Sequence, residues 1–187
     1  MTDHGAPDAA TGLAAVEASP TDIGRLRLIV RRPGVGEREV LEAGRLSVAE
    51  GLVGDTWHRR SSKRTPDGSP HPDMQLNIMN ARAAELFAGG VERWPLAGDQ
   101  LYVDLDLSVD NLPTGTLLHI GDSVVEVTDQ PHTGCAKFSA RFGVDALRLV
   151  NSPDGSRLRL RGINARVVQE GSVSVGDEIT VTRPSGT

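Results

Sequence analysis

Ser123-Val-Val-Glu-Val-Thr128-Asp-Gln-Pro-His-Thr-Gly-Cys-Ala-Lys-Phe138 joins a β-branched run to a turn that carries the only cysteine of the chain. Val and Thr at this density favour a strand. Pro131, His132 and Gly134 suit a turn and not a core strand. Cys135 therefore falls where a strand leaves the body of the fold. With no second cysteine it makes no intramolecular disulfide, so it is inert packing, a nucleophile or a ligand. Lys137 and the backbone N–H groups of the turn are expected to favour the thiolate, the reactive and metal-binding form. A free cysteine also serves as a small buried hydrophobe.

Outward from this stretch, short strands and glycine turns recur. Arg25–Val30 reads as a strand, Arg32-Pro-Gly-Val-Gly36 as a turn and Glu37–Leu41 as a returning strand. Leu46–Val53 is ambiguous and ends on the turn signal Gly54-Asp55. Met74–Met79 and Leu101–Leu107 alternate as half-buried strands do. Between them Asn80–Phe87 reads as a helix, with Asn80 as N-cap and Gly89-Gly90 as its stop. His119–Thr128 and Val173–Thr182 each hold Gly-Asp beside a strand, and both read as strand–turn–strand devices that close a barrel. Phe138–Val150 suits one or two short helices interrupted at Gly143, and Gly162–Val168 is a strand. Arg157-Leu-Arg-Leu-Arg161 alternates, so as a strand it would line up three arginines on one face. Strands and helices do not alternate steadily, which argues against a doubly wound parallel sheet. The expectation is a mainly β fold, a β-barrel with a few short helices.

The chain has 187 residues, 21 of them glycine and 11 proline, which fits one turn-rich domain and a tail. Residues 1–22 read as a flexible N-terminal tail, in which a short helix around Leu13 to Ala18 would be marginal alone, 23–183 as the domain and 184–187 as a C-terminal tail. A formal charge of −5 and 3% aromatic residues argue against nucleic-acid binding. No apolar run approaches the roughly 18–20 residues that span a bilayer, and residues 1–20 do not have the pattern of a secretory signal. A cytoplasmic location is expected, with no membrane partner. Residues 58–73 hold three prolines and the cations Arg59, Arg60, Lys63 and Arg64. They read as a solvated loop, or as a lid that closes on an anion.

Several segments together resemble the MOSC domain, named for the C-terminal domain of molybdenum cofactor sulfurases. The best match runs from Gly115-Thr-Leu-Leu-His-Ile-Gly-Asp122 through Val125-Glu-Val-Thr128 to Pro131-His-Thr-Gly-Cys-Ala-Lys137. Asp110-Asn-Leu112, Gly51-Leu-Val-Gly-Asp55, Gly162–Gly171 and Val175-Gly-Asp177 are similar to further family elements in the same order. Where many members carry a His-Gly-Gly-x-Asp-Arg-like stretch, this chain has His71-Pro-Asp-Met-Gln-Leu76.

The resemblance implies a MOSC-like β-barrel that binds molybdenum cofactor or handles sulfur for metal–sulfur centres. At family level it also implies pyridoxal phosphate binding. Cys135 takes the place of the family's cysteine, as molybdenum ligand or as sulfur carrier. Two roles follow: an oxidoreductase of N-hydroxylated compounds, or a carrier. The first needs a separate redox partner, because no flavin, haem or iron–sulfur motif is present. The second needs a sulfur or cofactor donor protein, because no desulfurase domain is read in the chain. A non-enzymatic barrel that binds a protein or a small anion, with Cys135 structural, is the alternative.

A cofactor phosphate calls for arginine or lysine. The candidates are Lys137, Arg157, Arg159, Arg161 and Arg166. Asn111 offers an amide to a pterin, or caps the turn before Leu112-Pro113. His132 holds a proton near the thiol, or is a plain turn residue. No His/Cys spacing suggests zinc.

Overall fold

The computed structural model describes residues 8–185. The strands, in chain order, are β1 (Ile23–Arg31), β2 (Glu39–Leu41), β3 (Ala43–Ser47), β4 (Gly51–Leu52), β5 (Leu76–Asn80), β6 (Leu101–Asp104), β7 (Leu117–Ile120), β8 (Ser123–Val127), β9 (Ile163–Gln169), β10 (Gly171–Ser174) and β11 (Glu178–Thr182). Five helices accompany them: α1 (Ala9–Glu17), α2 (Ala81–Ala88), α3 (Ala136–Phe142), α4 (Val144–Val150) and α5 (Pro153–Arg157).

Seven strands close in the order β11-β7-β8-β9-β5-β6-β1, with β1 returning to β11. Only β5 and β6 run parallel, joined through α2, so the barrel is mixed. A closed sheet leaves no edge within the ring. β2 extends the sheet beyond β1, and a small sheet β10-β3-β4 sits against it. Leu46, Leu52 and Val173 of that small sheet pack into the barrel core with Leu26, Ile78 and Val125.

The alternation seen in the sequence sorts side chains between two cores. Along β6, Leu101 and Val103 fill the barrel, while Tyr102 points outward into a second cluster with Met79, Trp94 and Phe138. A bulge between Leu26 and Leu28 shifts the phase of β1. Leu26 and Ile29 therefore both face inward, and Leu28 and Val30 join the outer cluster beneath the helices. The α2 boundaries follow the sequence reading: Asn80 accepts from the backbone N–H groups of Arg82 and Ala83, and Gly89 ends the helix at φ +67°.

Two segments depart from expectation, and a third meets it through an unexpected pairing. Where a flexible tail was expected, Ala9–Glu17 form a helix capped by Asp8, whose Gly12 and Val16 are buried. Gly12 lies so close to Leu86 of α2 that a Cβ would collide with it, so small residues allow the docking. Residues 1–7 of that tail and residues 186–187 of the C-terminal tail lie outside the described residues.

The second Gly-Asp device is the strand–turn–strand unit that was expected, and β11 does close the barrel, but its two strands do not pair with each other as a hairpin. β10 pairs with β3, and β11 pairs with β7 and β1. The turn between them is tied to β1 instead, through Gly176 N–H to Leu26 O (2.7 Å) and Leu26 N–H to Asp177 O (2.9 Å). That tie moves the chain from the small sheet into the barrel.

Arg157–Arg161 is not a strand. Pro153 starts α5, Ser152 caps it, and a tight turn follows. Turn geometry sends the three arginine side chains in three directions, so the expected basic stripe does not form.

Candidate functional site

Cys135 is exposed. It caps the start of α3, directly after the turn that leaves β8. Gly134 explains the tightness of that turn: a Cβ there would lie 2.5 Å from Val150 and 2.8 Å from Leu147. No side chain fits, so the backbone lies flat on α4. Asn151 fastens it, accepting from Gly134 N–H at 3.0 Å.

The thiol borders a cleft of about 300 Å³ together with Arg32, Arg38, Arg60, Lys137, Arg141 and Arg161. Six cations around one hollow, in a protein of net charge −5, is a strong local excess. Two of the six are neutralised by buried carboxylates. Arg32 grips Asp55 through Nε (2.8 Å) and Nη2 (2.9 Å), and Arg161 Nη1 meets Asp99 at 2.6 Å.

The other four have no carboxylate within ion-pair distance among the described residues. Arg38 donates only to the carbonyls of Pro95 and Glu37, Arg60 to the Thr56 hydroxyl, and Arg141 to the Leu96 carbonyl. Arg38 Nη2 and Arg141 Nη1 stand over the same glycine, 3.5 and 3.6 Å from where a Gly98 Cβ would be. Lys137 and Arg141 are one helical turn apart on α3, so one face delivers both.

Two members have lowered pKa values, with burial the larger cause and like charge the smaller. Burial, and then the like charges of Arg141 and Arg32, push the Arg38 pKa down. Burial and the Arg32 charge do the same for Arg60. An anion in the cleft would relieve that repulsion. A smaller hollow of about 160 Å³ continues from the cleft across Arg32, Arg60 and Asn77 to Trp57, His71 and Met74. The basic segment 58–73 supplies Arg60 here, and its Arg64 reaches Gln130 at the start of the cysteine turn (3.2 Å).

The other sequence candidates are distributed as follows. Arg161 reaches the cleft, with its guanidinium 5.2 Å from the Phe138 ring. Arg157 pairs with Glu17 and Asp110 on the surface. Arg159 donates to the carbonyls of Leu107 and Leu112. Arg166 pairs with Asp73 and Glu126 on β9. Asn111 is buried away from Cys135, donating to Thr21 and Asp106 carbonyls and accepting from Arg183. None of these last four lines the cleft. Arg32, Arg38 and Arg141 were not singled out by the sequence, and Arg60 was named only as a cation of the loop 58–73. A usable signal was present: Arg31-Arg32 ends a strand just before a Pro-Gly turn, and Lys137 and Arg141 have i, i+4 spacing.

A family model described as the MOSC domain matches residues 72–180. The chain belongs to the MOSC domain family. Solved structures agree on the fold. YuaD from Bacillus subtilis is 16% identical with a TM-score of 0.60, covering 87% of this MOSC chain and 97% of its own. YiiM from Escherichia coli is 20% identical with a TM-score of 0.57, covering 87% and 72%. A further crystal structure, of a hypothetical protein, is 22% identical with a TM-score of 0.58. No curated protein sequence matches the chain. Among the described residues no helix is long and apolar enough to cross a membrane, and no cluster of three His, Cys, Asp or Glu forms a metal site.

His132, three residues before the MOSC cysteine, turns away from the cleft and does not line it. Its Nδ1 is sealed from solvent, 3.6 Å from Asp99 Oδ1, too far for a hydrogen bond. Burial, and then the Arg161 charge, push its pKa from the ordinary 6.5 down to about 3, against the pull of Asp99. The imidazole is neutral at physiological pH, so it forms no ion pair with Asp99. Between those two values the unfolded chain binds a proton that the native state refuses. Stability therefore falls as pH falls from 6.5 towards 3. His132→Gln is expected to flatten that part of the profile. Urea unfolding at a series of pH values checks this, and an unchanged slope in the variant would contradict it.

Proposed function

We propose that this MOSC protein binds a molybdenum cofactor in the cationic cleft, with Cys135 as the metal ligand. The observation that carries the reading is the sole thiol, exposed, on the wall of a cleft where four cations have no carboxylate partner among the described residues. The residues fit such a group. A thiolate is a soft donor suited to a polarizable metal. Arg38, Arg60, Lys137 and Arg141 would neutralise the cofactor phosphate. Asn77 and the continuing hollow beside Trp57 offer hydrogen bonds and a flat surface to a pterin.

When bound, the cofactor supplies the redox chemistry. The protein's own residues hold the anion, orient it against the thiol and keep Cys135 at the rim, open to substrate. A reductase of N-hydroxylated compounds would draw electrons from a separate redox partner. The cytoplasm, where a single exposed thiol stays reduced, is the proposed compartment.

Molybdenum and pterin analysis of protein purified from a cofactor-producing host tests this. The expected result is both components in the native protein and loss of molybdenum in Cys135→Ser. Absence of both, before and after reconstitution, would end the proposal. The exposure of Cys135 favours one second reading, a sulfur carrier. In that case incubation with a desulfurase and cysteine adds sulfur to Cys135, seen by mass spectrometry and missing in Cys135→Ser.

A further inference from the structure

Arg161 also borders a second hollow, of about 270 Å³, which Cys135 does not line. Its walls come from residues 128–133, from α5 and the turn behind it, and from the start of β9. Arg159 stands in this wall. Its backbone has φ +47°, and no other described residue except glycine has a positive φ. A side chain in that region costs roughly 1–2 kcal/mol. Such an outlier persists only where the surroundings hold it, and outliers of this kind gather at binding sites.

The guanidinium is only half satisfied. Nη1 donates to the carbonyls of Leu107 (3.3 Å) and Leu112 (2.7 Å). Nε and Nη2 have no protein partner among the described residues. These two atoms form the edge that grips a carboxylate side-on, with two parallel hydrogen bonds. Burial pushes the Arg159 pKa down, and no neighbouring charge compensates.

Val109, Val150 and Ile163 give the hollow an apolar wall, and the one carboxylate lining it is Asp129, exposed at its rim. One free fork, an apolar wall and an acidic rim suit a small monoanion. They suit a phosphate dianion less, because Arg161, the other cation of the lining, is already paired with Asp99, and Asp129 repels a second negative charge.

We infer that this hollow is a second ligand site, for a small monocarboxylate held side-on by Arg159. The inference is independent of the Cys135 cleft and of any cofactor. Isotopically labelled, cofactor-free protein is titrated with sodium propionate, and separately with inorganic phosphate, at constant ionic strength. The backbone amide signals of Arg159, Arg161 and Gly162 are followed.

Propionate is expected to shift them saturably. Arg159→Asn should weaken binding by at least about tenfold, the value of one strong charge-assisted contact; Asn tolerates the left-handed backbone. Arg159→Lys keeps the charge but not the fork and should also weaken binding, which covers failure of the Asn variant to fold. Arg38→Gln with Arg141→Gln, in the other cleft, should leave propionate binding intact. No saturation, equal binding by the Arg159 variants, or tighter phosphate than propionate binding at these amides would overturn the assignment.

Discussion

Asp55→Ala should destabilise the protein by about 3–5 kcal/mol, the cost of removing one partner from a buried ion pair. Asp55 is fully buried, and Arg32 is nearly so. The carboxylate accepts from Arg32 N, Nε and Nη2 and from Trp57 N. Burial alone would raise its pKa, but the Arg32 hydrogen bonds and charge outweigh this and hold it below the usual carboxylate range.

Removing the carboxylate leaves Arg32 Nε and Nη2 and two backbone N–H groups without their acceptor, while Nη1 keeps the Gly98 carbonyl. Urea unfolding measures the loss. A change below about 1 kcal/mol, the worth of an exposed pair, would show that Arg32 finds solvent. Because Asp55 has a lowered pKa, its contribution is present above the unfolded carboxylate value and is lost as pH falls through the native one.

Arg38→Gln combined with Arg141→Gln should lower the affinity of the Cys135 cleft for a phosphate-bearing ligand by about 100- to 10,000-fold. The figure follows from two charge-assisted hydrogen bonds at about 1.5–3 kcal/mol each, with about 1.4 kcal/mol per tenfold. Neither guanidinium has a carboxylate partner among the described residues, so their loss should leave folding almost unchanged. Calorimetric titration with inorganic phosphate, compared with the wild-type protein, reads the effect. A change of less than about threefold would mean that these charges do not face the anion. Added salt should erode wild-type binding and shrink the difference, since the cleft is open to solvent.

Much of the architecture was legible because it depends on local rules. Alternation in Leu101–Leu107 and Ser123–Thr128 announced strands, Asn80 and Gly89 bracketed a helix, and Gly143 split another. The departures have different causes. Arg157–Arg161 alternates as a strand does, yet Ser152-Pro153 starts a helix just upstream, and that local signal outweighs a five-residue pattern. Residues 8–20 hold little to bury by themselves, but Val16 and Gly12 find a partner in α2, which lies far along the chain. The second Gly-Asp turn copies the first in sequence and differs in pairing, because its hydrogen bonds go to Leu26.

For the site, the sequence by itself determined that one sulfur stands after a strand, in a turn marked by Pro131 and Gly134. Chain order and residue type suffice for that. Tertiary structure alone decided which charges surround the sulfur. Arg32 and Arg38 sit on the connection between β1 and β2, Arg60 on the loop after β4 and Arg141 on α3, and the closed barrel brings these three segments to one cleft. It also decided which arginines are already neutralised, because Asp55 and Asp99 are buried against two of them and against no others. Charge complementarity depends on distance through space, and one-dimensional spacing carries almost none of that information.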